Sequence, residues 1–416
     1  MRHHHISTRA VHVVNDPPPP GSRPLSVPLV QSSAFAFDSA DALAEAMSGP
    51  DGPYAYSRRG NPTVRALEQT LAGLEGGAGA LAFASGMGAI SGVLLALLRP
   101  GDRVLAQRCL YGGTYAVLSD LSARYGIEVA YVDGDDPGEV ERRAADGRVP
   151  TLLLLETIAN PTGRVPDLPA LLAVARRLGI TSVVDNSLAS PVLCRPLELG
   201  ADVVVHSTTK YLSGHSDVLG GAAVFADDGL RRRIWPRTVE LGACADPFAA
   251  WLTLRGIQTL PLRMRETCAN AAVLAERFAA HPRVTAVHYP WLPGHPSYDT
   301  ARKVLSGGGG LLSVELAGGR EAGRAFIEGV RVARLALSLG GVESLVAHPA
   351  STSHRELDAR ALAAAGIAPG LVRLSVGIED VEDLWGDFER VLAERPGPTG
   401  RPWSASFGLT KRTSHS

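Results

Sequence analysis

The sequence predicts an α/β protein: a large domain around a mostly parallel seven-stranded sheet, a smaller C-terminal α/β domain, and an extended N-terminal arm. Three observations carry that prediction. Short apolar runs of strand length recur through the middle of the chain and alternate with helical stretches, the pattern of a parallel sheet covered on both faces. Proline and polar residues dominate the first 62 positions, with P-P-P-P-G at 17–21. At 416 residues, the chain is longer than one small core accommodates.

Taken in order, residues 1–62 read as an arm with one short helix near 39–48. From Thr63 the pattern changes: a helix over 63–75 leads to A-L-A-F-A (80–84), and a small-residue helix runs from Gly86 to Leu98. Strand-length runs follow at 103–106, 128–132, 151–155, 181–184, 202–205 and 221–225, all within a large domain placed at 63–260. A long helical region, 246–281, leads into a second domain placed at 261–394. That domain reads as strands at 311–316 and 371–376 with helices at 320–329, 355–365 and 380–394, and S-G-G-G-G (306–310) reads as a loop. The proline-rich tail, 395–416, is expected to be disordered or draped over the surface.

Composition narrows the class without choosing a function. Apolar residues make up 45% and charged residues 20%, with a formal charge of −1, so nothing electrostatic argues for nucleic acid or an anionic membrane as partner. No apolar run approaches the ~20 residues of a membrane span. The start, M-R-H-H-H-I-S-T-R, lacks a signal peptide's apolar segment. Its histidines read as solvated residues or a tag remnant, not as a metal site. Cys109, Cys194, Cys244 and Cys268 are scattered, with no C-x-x-C pair, so reduced thiols and a cytoplasmic protein are expected.

In sheets of this kind ligands bind beyond the carboxyl ends of the strands. After A-L-A-F-A comes S-G-M-G (85–88), opening a helix whose free N–H groups favour an anion such as phosphate. Ser207 and Thr209, in S-T-T (207–209), offer hydroxyls to the same anion. Asp185 follows T-S-V-V, where a carboxylate either caps a turn or faces a ligand. Lys210 follows D-V-V-V and lies in V-V-V-H-S-T-T-K-Y-L-S-G-H-S-D (203–217). A phosphate cradle, a carboxylate and a lysine at one sheet edge are what pyridoxal phosphate requires. Its aldehyde takes a lysine amine, and its pyridine nitrogen stays protonated beside a carboxylate. A desolvated lysine has a lowered pKa and is the better nucleophile.

The chain resembles the pyridoxal-phosphate enzymes of cysteine and methionine metabolism, the group of cystathionine γ-synthase and of the cystathionine and methionine γ-lyases. The likeness runs from about Thr8 to Leu392. It rests on Y-A-Y-S-R-R-G-N-P-T (54–63), S-G-M (85–87), L-Y-G-G-T (110–114), E-T-I-A-N-P (156–161), D-N-S (185–187), H-S-T-T-K-Y-L-S-G-H-S-D (206–217), L-T-L-R-G (252–256), S-L-G-G-V-E-S-L (338–345) and R-L-S-V-G-I-E-D (373–380). The resemblance implies a fold-type I pyridoxal-phosphate enzyme. Lys210 would bind the cofactor covalently and Asp185 would pair with its ring nitrogen, with Ser187 supplying a hydroxyl near the ring. Gly86 and Met87 through their amides, with Ser207 and Thr209, would hold the phosphate. Tyr56 and Arg58 would reach the phosphate of the neighbouring subunit's cofactor in a homotetramer built from two dimers. Tyr111 would stack on the ring and exchange protons with substrate. Arg373 would bind the substrate carboxylate, helped by Asn160 and Ser338. Tyr54, Glu156, His215 and His348 are read as scaffold.

The reaction that the resemblance implies is α,γ-elimination on a sulfur-containing or γ-substituted L-amino acid through a vinylglycine-type intermediate. A 2-oxo acid, ammonia and a thiol would be released. The alternatives are γ-replacement, of the cystathionine γ-synthase, O-acylhomoserine sulfhydrylase or specialised secondary-metabolism type, and cystathionine γ-lyase. Cystathionine-handling relatives often carry arginine and glutamate where this chain has Ala116 and Leu337. Methionine γ-lyases resemble it at both positions and in H-P-A-S (348–351), but carry cysteine where Gly113 stands. The family usually has threonine and phenylalanine where this chain has Ser187 and Leu188. An aminotransferase would share the Asp–Lys logic, yet Y-S-R-x-G-N-P-T and S-L-G-G speak against one. A non-catalytic relative is expected to have lost Lys210, Asp185 or Arg373.

Overall fold

In a computed structural model of the chain, residues 4–14, 24–352, 362 and 366–393 are described. The P-P-P-P-G run, most of the helix expected at 355–365 and the 395–416 tail lie outside the described residues.

Seven five-residue strands form the large sheet: β1 (Gly79–Phe83), β2 (Arg103–Gln107), β3 (Glu128–Val132), β4 (Leu152–Glu156), β5 (Thr181–Asp185), β6 (Val203–Ser207) and β7 (Gly221–Phe225). Their order is β1-β7-β6-β5-β4-β2-β3. The ladders from β3 through β6 are parallel, and only β7 pairs antiparallel with its neighbours. Alternation assigns each residue a face. Leu153, Leu155, Val184 and Val204 pack into one core, while Leu152, Leu154, Val183, Val203 and Val205 pack into the other. Both faces are dry, which is why the runs read as continuously apolar.

A second sheet is built from β8 (Val284–His288), β9 (Leu311–Leu316), β10 (Arg334–Leu335), β11 (Leu345–Ala347) and β12 (Leu371–Ser375). Its order is β10-β11-β12-β9-β8. Val372 and Leu374 of β12 enter a third core with Phe278, Phe326 and Phe388. Arg373, between them, therefore points to the opposite face of the sheet.

Two expectations are corrected. The helical region at 246–281 is two helices, Pro247–Ile257 and Leu260–Ala280. Pro261 falls in the first turn of the second, because proline lacks the N–H that a continuing helix needs. The arm also carries a second short helix, Ile6–Val11, whose Ala10 is buried in the same core as Leu71 and Leu260. Among the described residues no helix is long and apolar enough to cross a membrane.

Candidate active site

The carboxyl ends of β4, β5 and β6 carry Glu156, Asp185 and Ser207, and a cavity of about 420 Å³ opens above them. Eleven of the thirteen expected site residues line it: Gly86, Met87, Tyr111, Asn160, Asp185, Ser187, Ser207, Thr209, Lys210, Ser338 and Arg373. Tyr56 and Arg58 do not. Arg58 stacks over the Tyr56 ring, 5.5 Å from its centroid, and donates through Nη1 to the Val239 carbonyl at 3.2 Å.

Lys210 lies in the turn that leaves β6. Its Nζ donates to Ser338 Oγ at 2.8 Å. Burial, and then the Arg373 charge, push its pKa down to about 8. Ser338 has φ 95°, a left-handed conformation that a side chain adopts only when its surroundings impose it. Arg373 is almost fully buried and reaches the cavity from the second sheet. Its Nη2 donates to the Ser338 carbonyl at 2.8 Å and its Nη1 approaches Asn160 Oδ1 at 3.5 Å, while Nε has no hydrogen-bond partner among the described residues. A buried guanidinium with a spare donor and, among the described residues, no paired carboxylate suits a ligand carboxylate.

At the opposite wall, Ser85 caps the helix Gly86–Leu97, its Oγ accepting from the Gly88 N–H at 2.9 Å. The first-turn N–H groups of Gly86 and Met87 have no intrahelical carbonyl to bond and face an anion site. A Cβ on Gly86 would stand 2.7 Å from Ser207 Cβ, so glycine is required for the helix start to meet the end of β6. Thr209 is partly committed elsewhere, since its Oγ1 accepts from the Gly220 N–H at 3.0 Å.

Two buried carboxylates meet across the parallel ladder, where Glu156 is the register partner of Asp185. Burial and then the Asp185 charge hold the Glu156 carboxyl well above the usual range. Burial also raises Asp185, but hydrogen bonds from Ser187 oppose the rise, one of them from its N–H to Oδ1 at 2.9 Å. Two adjacent buried carboxyls cannot both ionise cheaply. The Ser187 hydrogen bonds favour charge on Asp185, and Glu156 accepts from the Tyr111 N–H at 2.5 Å. Glu156 thus fits the scaffold role read from the sequence while also anchoring Tyr111. His348 is tied down as well, accepting from Ser351 Oγ at 2.8 Å and donating to the Pro369 carbonyl at 2.7 Å.

Sequence reasoning overlooked what lies beneath the sheet. Thr157, Asn186, Glu75 and His206 form a hydrogen-bonded chain there, with Glu75 Oε2 and His206 Nδ1 left without a hydrogen-bond partner among the described residues. Alternation could have placed Asn186 and His206 on that face, but no local signal links either to Glu75.

A lysine with a depressed pKa, a buried carboxylate and an anion-binding helix start, all at one sheet edge, fit pyridoxal phosphate and define a pyridoxal-phosphate-dependent enzyme of the α/β class. The chain matches the model of the Cys/Met metabolism PLP-dependent enzymes over residues 7–393, and it belongs to that family. L-methionine γ-lyase of Pseudomonas putida is 44% identical over 388 residues, which are 93% of this chain and 97% of that relative. Cystathionine γ-synthase of Mycobacterium bovis is 42% identical over 386 residues, 93% and 96% of the two chains. The crystal structure of cystathionine γ-synthase from Xanthomonas oryzae pv. oryzae, in complex with aminoacrylate and cysteine, matches with a TM-score of 0.86. Its identity is 42%, covering 93% of this chain and 97% of that one.

Proposed function

We propose that the protein catalyses α,γ-elimination on a methionine-like L-amino acid, releasing a 2-oxo acid, ammonia and a thiol. The observation that carries this reading is the apolar part of the cavity lining, where Leu219, Leu337, Leu188 and Ile158 accompany Lys210, Ser338 and Arg373. A substrate held by its carboxylate at Arg373 would meet hydrocarbon at its γ-substituent, which suits a thioether and leaves a second charged amino-acid arm without a partner.

Bound in this site, pyridoxal phosphate supplies the electron sink for bond changes at the substrate α-carbon. The residues supply the rest. Lys210, whose amine burial keeps partly neutral near pH 8, binds the cofactor and later takes the α-proton. Asp185 pairs with the protonated ring nitrogen, and Ser187 holds Asp185. The Gly86 and Met87 amides, Ser207 and Thr209 receive the phosphate. Tyr111, which lines the cavity, would lie against the ring and give a proton to the leaving γ-group. Arg373, Asn160 and Ser338 orient the substrate.

Gly113 favours a second reading, γ-replacement by an added thiol. A Cβ there would stand 2.6 Å from Tyr111 Cε1 and 2.9 Å from Met87 Sδ. The glycine lets the Tyr111 ring and the Met87 side chain fill the space that a side chain at 113 would need, so the thiol that methionine γ-lyases carry at this position has no equivalent here. Incubation with methionine, cystathionine and O-acetyl- or O-succinylhomoserine, each with and without a thiol, separates the two. Oxobutanoate formed without thiol is expected. Product formed only when thiol is added rejects the lyase.

The assembly we propose is a homotetramer built from two dimers, in which Tyr56 and Arg58 complete the cofactor site of the neighbouring subunit. Their separation from the Lys210 cavity supports this, as does the exposure of Leu219 (72%) and Leu337 (66%) beside it. We assign the large domain to 63–260, the second domain to 261–394 and the enzyme to the cytoplasm, the last on its four free cysteines.

A further inference from the structure

Glu75 is the last residue of the helix Pro62–Glu75, and it is fully buried. A carboxylate there is doubly unfavourable, being desolvated and at the negative end of a helix. Its side chain nevertheless makes two specific contacts. Oε1 meets His206 Nε2 at 2.6 Å and accepts from Asn186 Nδ2 at 2.9 Å. Asn186 Nδ2 also donates to the Cys194 carbonyl at 2.9 Å, and its Oδ1 accepts from Thr157 Oγ1 at 2.8 Å. All four residues sit outside the cavity.

What they hold is informative. Asn186 directly follows Asp185, and His206 directly precedes Ser207. Strand alternation turns Asn186 and His206 to the underside of the sheet and presents Asp185 and Ser207 to the cavity. One oxygen atom therefore ties the end of β5 to the end of β6 from below. On the upper side the same two ends are joined by the Ser207 N–H donating to Ser187 Oγ at 2.6 Å. The nearness of His206 also opposes the rise in the Asp185 pKa.

We propose that Glu75 is a positioning residue: clamped to His206 and Asn186 beneath the sheet, it sets the spacing of the strand ends carrying Asp185 and Ser207, and so the affinity for pyridoxal phosphate. The inference rests on the roles proposed above for those two residues.

The test reconstitutes cofactor-free wild type, Glu75→Ala, Glu75→Gln and Thr157→Val with pyridoxal phosphate. It reads the dissociation constant and the melting temperature with and without cofactor. Glu75→Ala is expected to bind at least about tenfold more weakly, the size of effect typical when a supporting contact behind a ligand site is removed. Thr157→Val, which deletes one hydrogen bond with little change in volume, should weaken binding by about threefold to fivefold. Glu75→Gln keeps an acceptor oxygen in place and should stay within about threefold of wild type. The rise in melting temperature caused by the cofactor shrinks in the same order. A purely structural role would lower the melting temperatures with and without cofactor together and leave every dissociation constant at the wild-type value; that result overturns the proposal. If Glu75→Ala yields no folded protein, Thr157→Val decides, and an unchanged dissociation constant overturns it. Asp185→Asn is measured alongside. Should it bind cofactor as wild type does, the role given to Asp185 has failed, which is a separate outcome from failure at Glu75.

Discussion

Lys210 Nζ donates to Ser338 Oγ at 2.8 Å, joining the turn after β6 to the loop that leads from β10 to β11. The same serine presents its carbonyl to Arg373 and holds φ at 95°. It stands between the amine that does the chemistry and the guanidinium that we propose binds substrate. Ser338→Ala removes the hydroxyl and keeps the strained backbone, and is expected to lower kcat/KM by roughly fivefold to tenfold, the worth of one hydrogen bond. Ser338→Gly should lose the same activity while gaining about 1 kcal/mol of stability from relief of the positive φ. Steady-state kinetics and thermal melts on the pair separate the two effects.

Covalent uptake of pyridoxal phosphate requires the neutral amine of Lys210. With its pKa pushed down to about 8 from 10.5, the neutral fraction climbs as pH rises and is nearly complete about one unit above 8. The rate of uptake by cofactor-free enzyme should therefore rise about tenfold per pH unit below 8 and then level off. A rate that keeps climbing at that slope beyond pH 9 would show a lysine with its ordinary pKa. Lys210→Ala should show no covalent uptake at any pH.

Arg373 offers a planar fork that lysine cannot reproduce. Arg373→Lys is expected to raise KM for an amino-acid substrate by about tenfold or more with a smaller change in kcat, as for loss of binding shared by ground and transition states. Arg373→Ala should raise it further, by about a hundredfold, since a buried charge pair with the substrate carboxylate is lost. An unchanged KM in Arg373→Ala would place the carboxylate site elsewhere.

Arg58 and Lys210 are proposed to serve one active site from two subunits. Lys210→Ala and Arg58→Ala proteins, each nearly inactive alone, should regain about a quarter of wild-type activity when mixed and reassembled, because half the dimers are then mixed and each carries one intact site. No recovery after demonstrated subunit exchange would return Arg58 to its own subunit's site.

Much of this was legible in the chain. The runs ending at Glu156, Asp185 and Ser207 were readable as strands because both faces of a parallel sheet are dry. Alternation decides which polar residue at the end of such a run faces the crevice: Asp185 and Ser207 do, while Asn186 and His206 turn below the sheet. S-G-M-G was readable as the start of an anion-favouring helix, whereas the close approach of Gly86 to Ser207 was not. The break before Pro261 had a local signal in the proline itself, which the single helical region read over 246–281 passed over. Other features had none. The strands at 284–288 and 345–347 are too short or too weakly apolar to stand out. Arg373 was legible as a motif residue, but its face depends on which side of the second sheet packs on Phe278 and Phe326.

By itself, then, the sequence determined the α/β class and which residue types close the strands, because burial and alternation are local properties of each run. Only the tertiary structure decided which groups act on one another. Lys210 and Ser338 lie 128 positions apart, and Glu75 and His206 lie 131 apart. A hydrogen bond senses distances of a few ångströms, and sequence separation says nothing about those until the sheets have packed. The depressed pKa of Lys210 and the raised pKa of Glu156 have the same origin: each depends on burial and on a charged neighbour brought close by the fold.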